Sequence, residues 1–276
     1  MAGIDSVQRT GWWGRVFGDG PSGGNHTVVV LSGAPNSGLQ DIARWLAVPD
    51  TGFVTARDDQ SVSLRTFSPV EEVSQCIQVS LAALTALGAP DKSSWSVRHE
   101  HGEKLLVTRD DPVTWAEFAA GADLAVEPAA WPSFVQACPD PGFGQVIVRQ
   151  SRSRIYLPCR NLAELEALEL DPRDVVEFCA SSDCFGVVAF TQTGRQTWRA
   201  RVFTTSLAGK EDSATGGAVL GVGGLLARRG VTGTLRVTQG PGDPDRQGTL
   251  LLRIFSQGHF QLGGEVVTLQ RGQICV

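Results

Sequence analysis

Residues 209–218 read GKEDSATGGA, and residues 219–230 continue as the mostly apolar run VLGVGGLLARRG. Two adjacent carboxylates, Glu211 and Asp212, precede a Thr-Gly-Gly turn, and the run after it predicts a buried helix at 218–229. Backbone N–H groups at a helix start bind anions, and glycines let a ligand approach the backbone closely. An acid beside such a turn suits proton transfer on a small carboxylated substrate; the alternative is a capped helix start without chemistry.

Length and composition are those of a globular protein. The 276 residues suffice for one large or two medium domains, with 42% hydrophobic and 19% charged residues. The net charge of -5 arises from acids and bases mixed along the chain, which argues against a nucleic-acid-binding surface. No apolar run reaches the length of a membrane span and no signal peptide opens the chain, so we expect a cytoplasmic protein without a membrane partner.

The cysteine and histidine spacings do not predict a metal site. None of the six cysteines forms a CxxC pair, and we expect most of the thiols to be buried and reduced. His99 and His101 share a face of a predicted strand, but their charged surroundings favour a solvated pair over a pair of metal ligands.

Apolar periodicity predicts two halves of similar plan. Helices are expected at 39–46 and 73–87 in the first half and at 161–168 and 218–229 in the second, each set among several strands. The Ala-, Pro- and Trp-rich middle is interpreted as a crossover with short helices at 113–120 and 131–137, and 175–179 is predicted as a strand. We therefore predict an α+β fold with domains 1–120 and 121–276, each a mostly antiparallel sheet around a hydrophobic helix, and a ligand cleft between them.

Five collinear segments resemble one known family. They are VFGDGPSGGN (16–25), RTFSPVEEV (65–73), RVFTTSLAGKEDSATGG (201–217), TQG (238–240) and GGEVV (263–267). This order is similar to that of the PhzF-like isomerases, named for phenazine biosynthesis and related to diaminopimelate epimerase. The resemblance implies two pseudo-symmetric α+β domains, a cleft active site, no cofactor and a homodimer. It also implies proton abstraction and return at carbon; the substrate in phenazine biosynthesis is a dihydro-hydroxyanthranilate.

In the first half, this chain keeps part of the family pattern. Asp50 stands where family members carry a carboxylate, usually glutamate, and burial would bring its pKa towards the range of a general acid or base. The alternative for Asp50 is a turn residue after Pro49. Gln78 replaces the family histidine and is predicted as a catalytic residue whose amide orients the substrate without transferring a proton. Ile77 replaces the preceding glycine and is expected to contact the substrate.

In the second half, Asp212 matches the family aspartate; Glu211, Thr215 and Gly216 match as well and are expected to contact the substrate. Gly217 replaces the usual serine, so a hydroxyl donor is lost while the backbone N–H remains. The resemblance therefore predicts Asp212 as a catalytic group and the amides of Gly216 and Gly217 as binders of the substrate carboxylate.

Two further positions complete the predicted site. Asn25 is expected to contact substrate, and His26 follows it where the family has proline, so that His26 either replaces the missing histidine or is a surface residue of a Gly-rich turn. Cys76 stands where diaminopimelate epimerases carry one of two catalytic thiols. Because residues 212–216 contain no second cysteine, we interpret Cys76 as a buried helix residue that lines the site.

The function that this combination favours is a cofactor-independent isomerase acting on a small cyclic amino or imino acid, with Asp50 and Asp212 as general acid and base. The substitutions favour a specialised substrate in secondary metabolism, such as antibiotic biosynthesis, with the dihydropyrrole carboxylate of 4-alkyl-proline formation as one candidate. Two alternatives stay open, an epimerase or racemase of an amino-acid derivative and a family member that binds a ligand without turnover.

Overall fold

The computed structural model describes residues 8–20, 22–31, 38–118, 125–149, 152–255 and 259–275. The chain divides into two compact units. Unit 1 comprises the described residues of Met1–Val16, Asn25–Ala116 and Glu265–Val276, and unit 2 those of Phe17–Gly24 and Glu117–Gly264. Each unit thus takes a short segment from the opposite end of the chain, Phe17–Gly24 in unit 2 and Glu265–Val276 in unit 1. The domains 1–120 and 121–276 stay a prediction.

The first half of the chain, to residue 118, contains eight strands and two helices among its described residues. The strands are β1 Gln8–Gly18, β2 Asn25–Val30, β3 Asp50–Arg57, β4 Ser61–Phe67, β5 Glu72–Val73, β6 Ser94–His99, β7 Lys104–Asp110 and β8 Val113–Phe118. The helices are α1 Leu39–Leu46 and α2 Ile77–Ala86.

The second half has the remaining elements. The strands are β9 Ala125–Pro128, β10 Val146–Arg149, β11 Arg154–Pro158, β12 Gly186–Gln192, β13 Thr197–Thr204, β14 Glu211–Asp212, β15 Gly233–Gln239, β16 Gly248–Ile254 and β17 Phe260–Cys275. The helices are α3 Leu162–Glu166, α4 Pro172–Ser181 and α5 Gly216–Ala227.

The two units repeat one order of strand pairing. In unit 1, β1–β2 is antiparallel, β2–β3 parallel, β3–β4 antiparallel, β4–β6 parallel and β6–β7 antiparallel. Unit 2 shows the same series for β10–β11, β11–β12, β12–β13, β13–β15 and β15–β16. A parallel pair needs a crossover, and helices supply it in each case: α1 and α2 in unit 1, and α3 with α4, then α5, in unit 2. The predicted pseudo-symmetric α+β plan is confirmed.

The central helices are α2 and α5, and both are buried on nearly every side. Nine of the ten residues of α2 are buried, and so are nine of the twelve of α5. Close packing of α2 explains Gly52 in β3, where an added Cβ would clash with Cγ1 of Val79. A helix enclosed by sheet in this way is held by burial of apolar surface, and its N-terminus is fixed accordingly.

Several predicted elements are wrong. Residues 113–118 form strand β8, which pairs with β17 and buries the three consecutive residues Thr114, Trp115 and Ala116; residues 119 and 120 lie outside the described part. Residues 131–137 form turns and no helix. The predicted strand 175–179 lies inside α4, which begins with the capping residue Asp171 followed by Pro172, and Val175 and Cys179 are one helical turn apart on its buried face.

Candidate active site

The start of α2 carries three of the predicted residues of unit 1. Cys76 is the N-cap, and its Sγ accepts a hydrogen bond from the backbone N–H of Val79 at 3.5 Å. Ile77 is the first helical residue and is buried. Gln78 follows and is also buried, because its amide turns towards strand β2.

Gln78 joins the helix to β2 with three hydrogen bonds. Its Nε2 donates to Thr27 Oγ1 at 2.8 Å and to the carbonyl of His26 at 3.4 Å, and its Oε1 accepts from Asn25 Nδ2 at 3.1 Å. Both amide hydrogens of Gln78 are therefore used inside unit 1. This geometry links Asn25 to the start of α2 through the Gln78 side chain.

Asp50 lies beside this helix start. It is the first residue of β3 and pairs in register with Thr27 of β2. Its carboxyl group lies close enough to the thiol of Cys76 to act on it electrostatically. Burial and the neighbouring Asp50 charge raise the pKa of Cys76 well above its ordinary value, so the thiol stays protonated at neutral pH. Unit 1 thus places a half-buried carboxylate against a neutral thiol at the N-terminus of a buried helix.

His26 projects from the other face of β2. Successive residues of a strand point in opposite directions, and Asn25 and Thr27 already face Gln78. The His26 ring instead accepts a hydrogen bond from Trp13 Nε1 at its Nδ1, 3.1 Å away. Burial, and secondarily the charge of Arg15, lower the pKa of His26. The structure does not bring His26 together with Gln78 and Asp50 through side-chain contacts.

Glu211 and Asp212 of unit 2 have different surroundings although they are adjacent. Glu211 receives Nε and Nη2 of Arg201 at 2.9 and 2.8 Å, and both side chains are about nine-tenths buried. The equivalent pair in unit 1 is Arg65 with Glu72, joined by the same two nitrogens at 2.8 and 2.7 Å. Glu211, which the sequence predicts as a substrate contact, is thus part of a repeated structural ion pair.

Asp212 lies next to the start of α5. Its Oδ2 accepts a hydrogen bond from Thr215 Oγ1 at 2.5 Å. Gln239 of β15 holds this turn with Nε2, which donates to the Asp212 carbonyl and to Thr215 Oγ1 at 2.9 Å each, while its Oε1 accepts from the Thr215 N–H at 3.0 Å. The hydroxyl of Thr215 is thereby directed at the Asp212 carboxylate.

Thr215 is the N-cap of α5 and makes no side-chain cap to the helix, because its hydroxyl is bound to Asp212. Gly216 and Gly217 are the first two residues of α5, which begins two residues before the predicted start at residue 218. Such a helix start, with small residues and a carboxylate one turn earlier, is suited to binding an anion.

Sequence reasoning missed two buried residues of β11. Tyr156 donates a hydrogen bond to the carbonyl of Ala218 at 3.1 Å and packs where an added Cβ at Gly221 would clash with its hydroxyl. Arg154, 4% exposed, places its guanidinium against Gly217. Burial lowers the pKa of Arg154, partly offset by the charge of Asp212. The signal that could have found Arg154 is a charged residue directly before the apolar strand IYLP.

His99 is buried between two hydroxyl groups, so its prediction as a solvated residue is wrong. Its Nδ1 lies 3.2 Å from Thr66 Oγ1 and its Nε2 lies 2.8 Å from Ser80 Oγ of α2. Burial lowers its pKa to about 4, and the ring is neutral at physiological pH. His101 is exposed and lies with Glu72 and Glu100 in a group able to hold a cation, but Arg65 already pairs with both carboxylates.

The thiols are mostly buried, as predicted. Among the cysteines whose side chains are described, all are free, and only Cys138 is not fully buried. Within the described ranges, the helices are too short or too polar to span a bilayer.

Comparison with known proteins places this arrangement in one family. The profile of the phenazine biosynthesis-like protein family matches residues 15–272. The trans-2,3-dihydro-3-hydroxyanthranilate isomerase of Pseudomonas chlororaphis is 26% identical over 230 residues, which are 78% of either chain.

Solved structures show the same fold. A putative phenazine biosynthesis PhzC/PhzF protein from Clostridium difficile (strain 630) superposes with a TM-score of 0.77 at 18% identity, covering 97% of this chain and all of the other. A predicted epimerase from Pseudomonas aeruginosa gives a TM-score of 0.76 at 21% identity, covering 97% and 99%. The chain therefore belongs to the phenazine biosynthesis-like protein family, and its enzyme class is that of the isomerases.

Proposed function

We propose that this protein is a cofactor-independent isomerase that moves a proton, and with it a double bond, in a small cyclic amino or imino acid. The observation that supports the proposal is that each unit holds one carboxylate against the N-terminus of its central helix. Asp50 lies near Cys76 at the cap of α2, and Asp212 accepts a hydrogen bond from Thr215 at the cap of α5. A helix N-terminus favours negative charge, both of the acid and of a bound substrate carboxylate.

The proposed reaction needs no oxidant or reductant. One carboxylate removes the proton alpha to the substrate carboxylate or to a conjugated imine, and the electron pair delocalises into the π-system. The other carboxylate, or the same one, delivers a proton at a different carbon, so that the double bond migrates and the atoms balance. Asp50 and Asp212 are the groups we assign to these two steps. Cys76 stays protonated and contacts the substrate, and Gln78 positions Asn25.

The finer substrate assignment is also part of the proposal. Gln78 and Gly217 stand where family members carry histidine and serine, and these changes support a substrate other than the usual one, in a secondary-metabolite pathway such as antibiotic biosynthesis. The dihydropyrrole carboxylate of 4-alkyl-proline formation is our candidate, acted on by a cytoplasmic homodimer. The dimer is checked by light scattering.

The test is proton exchange in D2O. The purified protein is incubated with a dihydropyrrole carboxylate and with trans-2,3-dihydro-3-hydroxyanthranilate, followed by NMR and absorbance. We expect deuterium uptake with a shifted double bond, abolished in Asp50→Asn and in Asp212→Asn. Asp59→Asn, a change at an exposed turn residue, is the matched control and should leave turnover unchanged.

The other outcomes separate the alternatives. Deuterium uptake with loss of optical activity and no spectral change would identify an epimerase or racemase in place of the double-bond isomerase. Binding of either compound without any exchange would reject the enzyme proposal and leave a ligand-binding member of the family. Unchanged turnover in both Asp→Asn variants would reject the assignment of the two carboxylates.

A further inference from the structure

Arg154 is the buried cation of unit 2 that the proposed mechanism does not use. Its side chain extends from the first position of β11 and is 4% exposed. Nη1 donates a hydrogen bond to the carbonyl of Arg152 at 2.8 Å. Nε is buried and has no hydrogen-bond partner in the part of the chain that the structure describes. A buried donor without a partner is costly, and such a group is typical of a site that a ligand completes.

The guanidinium occupies the space beside Gly217, the second residue of α5. A Cβ built on Gly217 would lie 3.2 Å from Nη1, 3.7 Å from Nη2 and 3.8 Å from Cζ of Arg154. A side chain at position 217 would therefore compete with the guanidinium for the same volume. The absence of a side chain at Gly217 thus leaves the space that the guanidinium of Arg154 needs.

The electrostatics of this position are unfavourable without an anion. The N-terminus of a helix carries a partial positive charge, and a cation there is destabilising. Among the described residues, no carboxylate lies within ion-pair distance of Arg154, although the charge of Asp212 acts on it from farther away. Elsewhere in the chain, Arg65 and Arg201 bind carboxylates through the Nε–Nη2 edge. In Arg154 the Nε of this edge has no partner.

We infer that Arg154 binds the carboxylate of the substrate at the start of α5 and is a specificity-determining residue for carboxylated ligands. The Nε–Nη2 edge receives the carboxylate, the helix N-terminus adds its partial charge, and Gly217 leaves the room that the guanidinium needs. The identity of the ligand as a substrate rests on the function proposed above, but the binding site itself does not.

The test uses binding, measured separately from turnover. Calorimetry gives the dissociation constants of anthranilate and of aniline, which lacks only the carboxylate, for the wild-type protein, Arg154→Lys, Arg154→Met and Gly217→Ser. We expect the wild-type protein to prefer anthranilate, and Arg154→Met to lose this preference by about 10- to 100-fold, since a hydrogen-bonded ion pair is lost. Arg154→Lys should retain part of the preference for anthranilate over aniline. Gly217→Ser should weaken this preference by displacing the guanidinium.

A thermal unfolding curve for each variant distinguishes binding from structural support. We expect Arg154→Met to unfold at the wild-type temperature or above, because a buried charge is removed. A folded Arg154→Met that prefers anthranilate as the wild-type protein does would overturn the inference, and so would equal wild-type affinity for the two compounds. If Arg154-dependent binding is found but proton exchange is absent, the isomerase proposal fails and this one stands. If exchange is found and Arg154→Met leaves KM and anthranilate binding unchanged, the isomerase proposal stands and the inference about Arg154 fails.

Discussion

The hydroxyl of Thr215 donates a hydrogen bond to Oδ2 of Asp212 over 2.5 Å. Gln239 binds both the hydroxyl and the backbone N–H of Thr215, and so fixes the direction of this donor. A hydrogen bond to a carboxylate stabilises its charged form. The hydroxyl of Thr215, the N-cap of α5, is therefore hydrogen-bonded to the Asp212 carboxylate and does not cap the helix.

Thr215→Val should therefore impair the proton-transfer step. Valine keeps the shape of threonine but removes the donor, so we expect kcat to fall about 10- to 100-fold, as for loss of a hydrogen bond to a charged group. Thr215→Ser, which restores a hydroxyl, should recover most of kcat; equal loss in both variants would contradict this role.

Removing the glutamate of each repeated ion pair should lower the free energy of unfolding by different amounts in the two units. Glu211→Ala leaves Arg201 buried and uncompensated, and we expect the free energy of unfolding to fall by about 3–5 kcal/mol. Glu72→Ala removes the equivalent partner of Arg65, but those side chains are each 25% exposed, so the loss should not exceed about 2 kcal/mol. Urea denaturation of the two variants makes the comparison. A larger loss for Glu72→Ala would show that burial does not set the difference.

His99 should make the fold sensitive to acid. Its pKa is lowered to about 4, whereas the unfolded chain binds the proton near the ordinary value of 6.5. Between these two pKa values the unfolded state binds more protons than the folded state. The contribution of neutral His99 to the free energy of unfolding is therefore complete above pH 6.5 and is lost as the pH falls to 4. The loss is about 3 kcal/mol.

The measurement is the free energy of unfolding at pH 7, 6, 5 and 4, by urea denaturation. His99→Asn, which does not titrate, should flatten the decline over this range. His101→Asn, at an exposed position two residues away, is the control and should show the wild-type slope. A slope that persists in His99→Asn would assign the acid sensitivity to other groups.

His26→Ala tests the catalytic role that the sequence suggests for His26. The ring lies on the face of β2 away from Gln78 and is bound to Trp13, so we expect turnover to fall less than 10-fold. Loss of the Trp13 hydrogen bond should still appear as a change in tryptophan fluorescence. A folded variant with turnover reduced about 1,000-fold would instead establish that His26 takes part in proton transfer.

Much of the fold was predictable because it depends on local pattern and turn residues. The bounds of α1 match the prediction, and the apolar character of α2 and α5 identified both as central helices. Secondary-structure predictions were wrong where the local sequence favoured two different elements. In α4, the β-branched pair Val175–Val176 suggested a strand, but Asp171 and Pro172 began a helix that the sheet then buried.

The sequence by itself determined the family and the repeated plan of the two halves, because motif order and hydrophobic period are properties of the chain; it also predicted Asp50 and Asp212 as the carboxylates of the site. Only the tertiary structure decided what each side chain contacts. In the folded chain, Gln78 contacts β2, Glu211 pairs with Arg201, and the guanidinium of Arg154 lies against Gly217. These contacts join residues distant in the chain, and they depend on strand register and helix depth, which burial of the whole core sets.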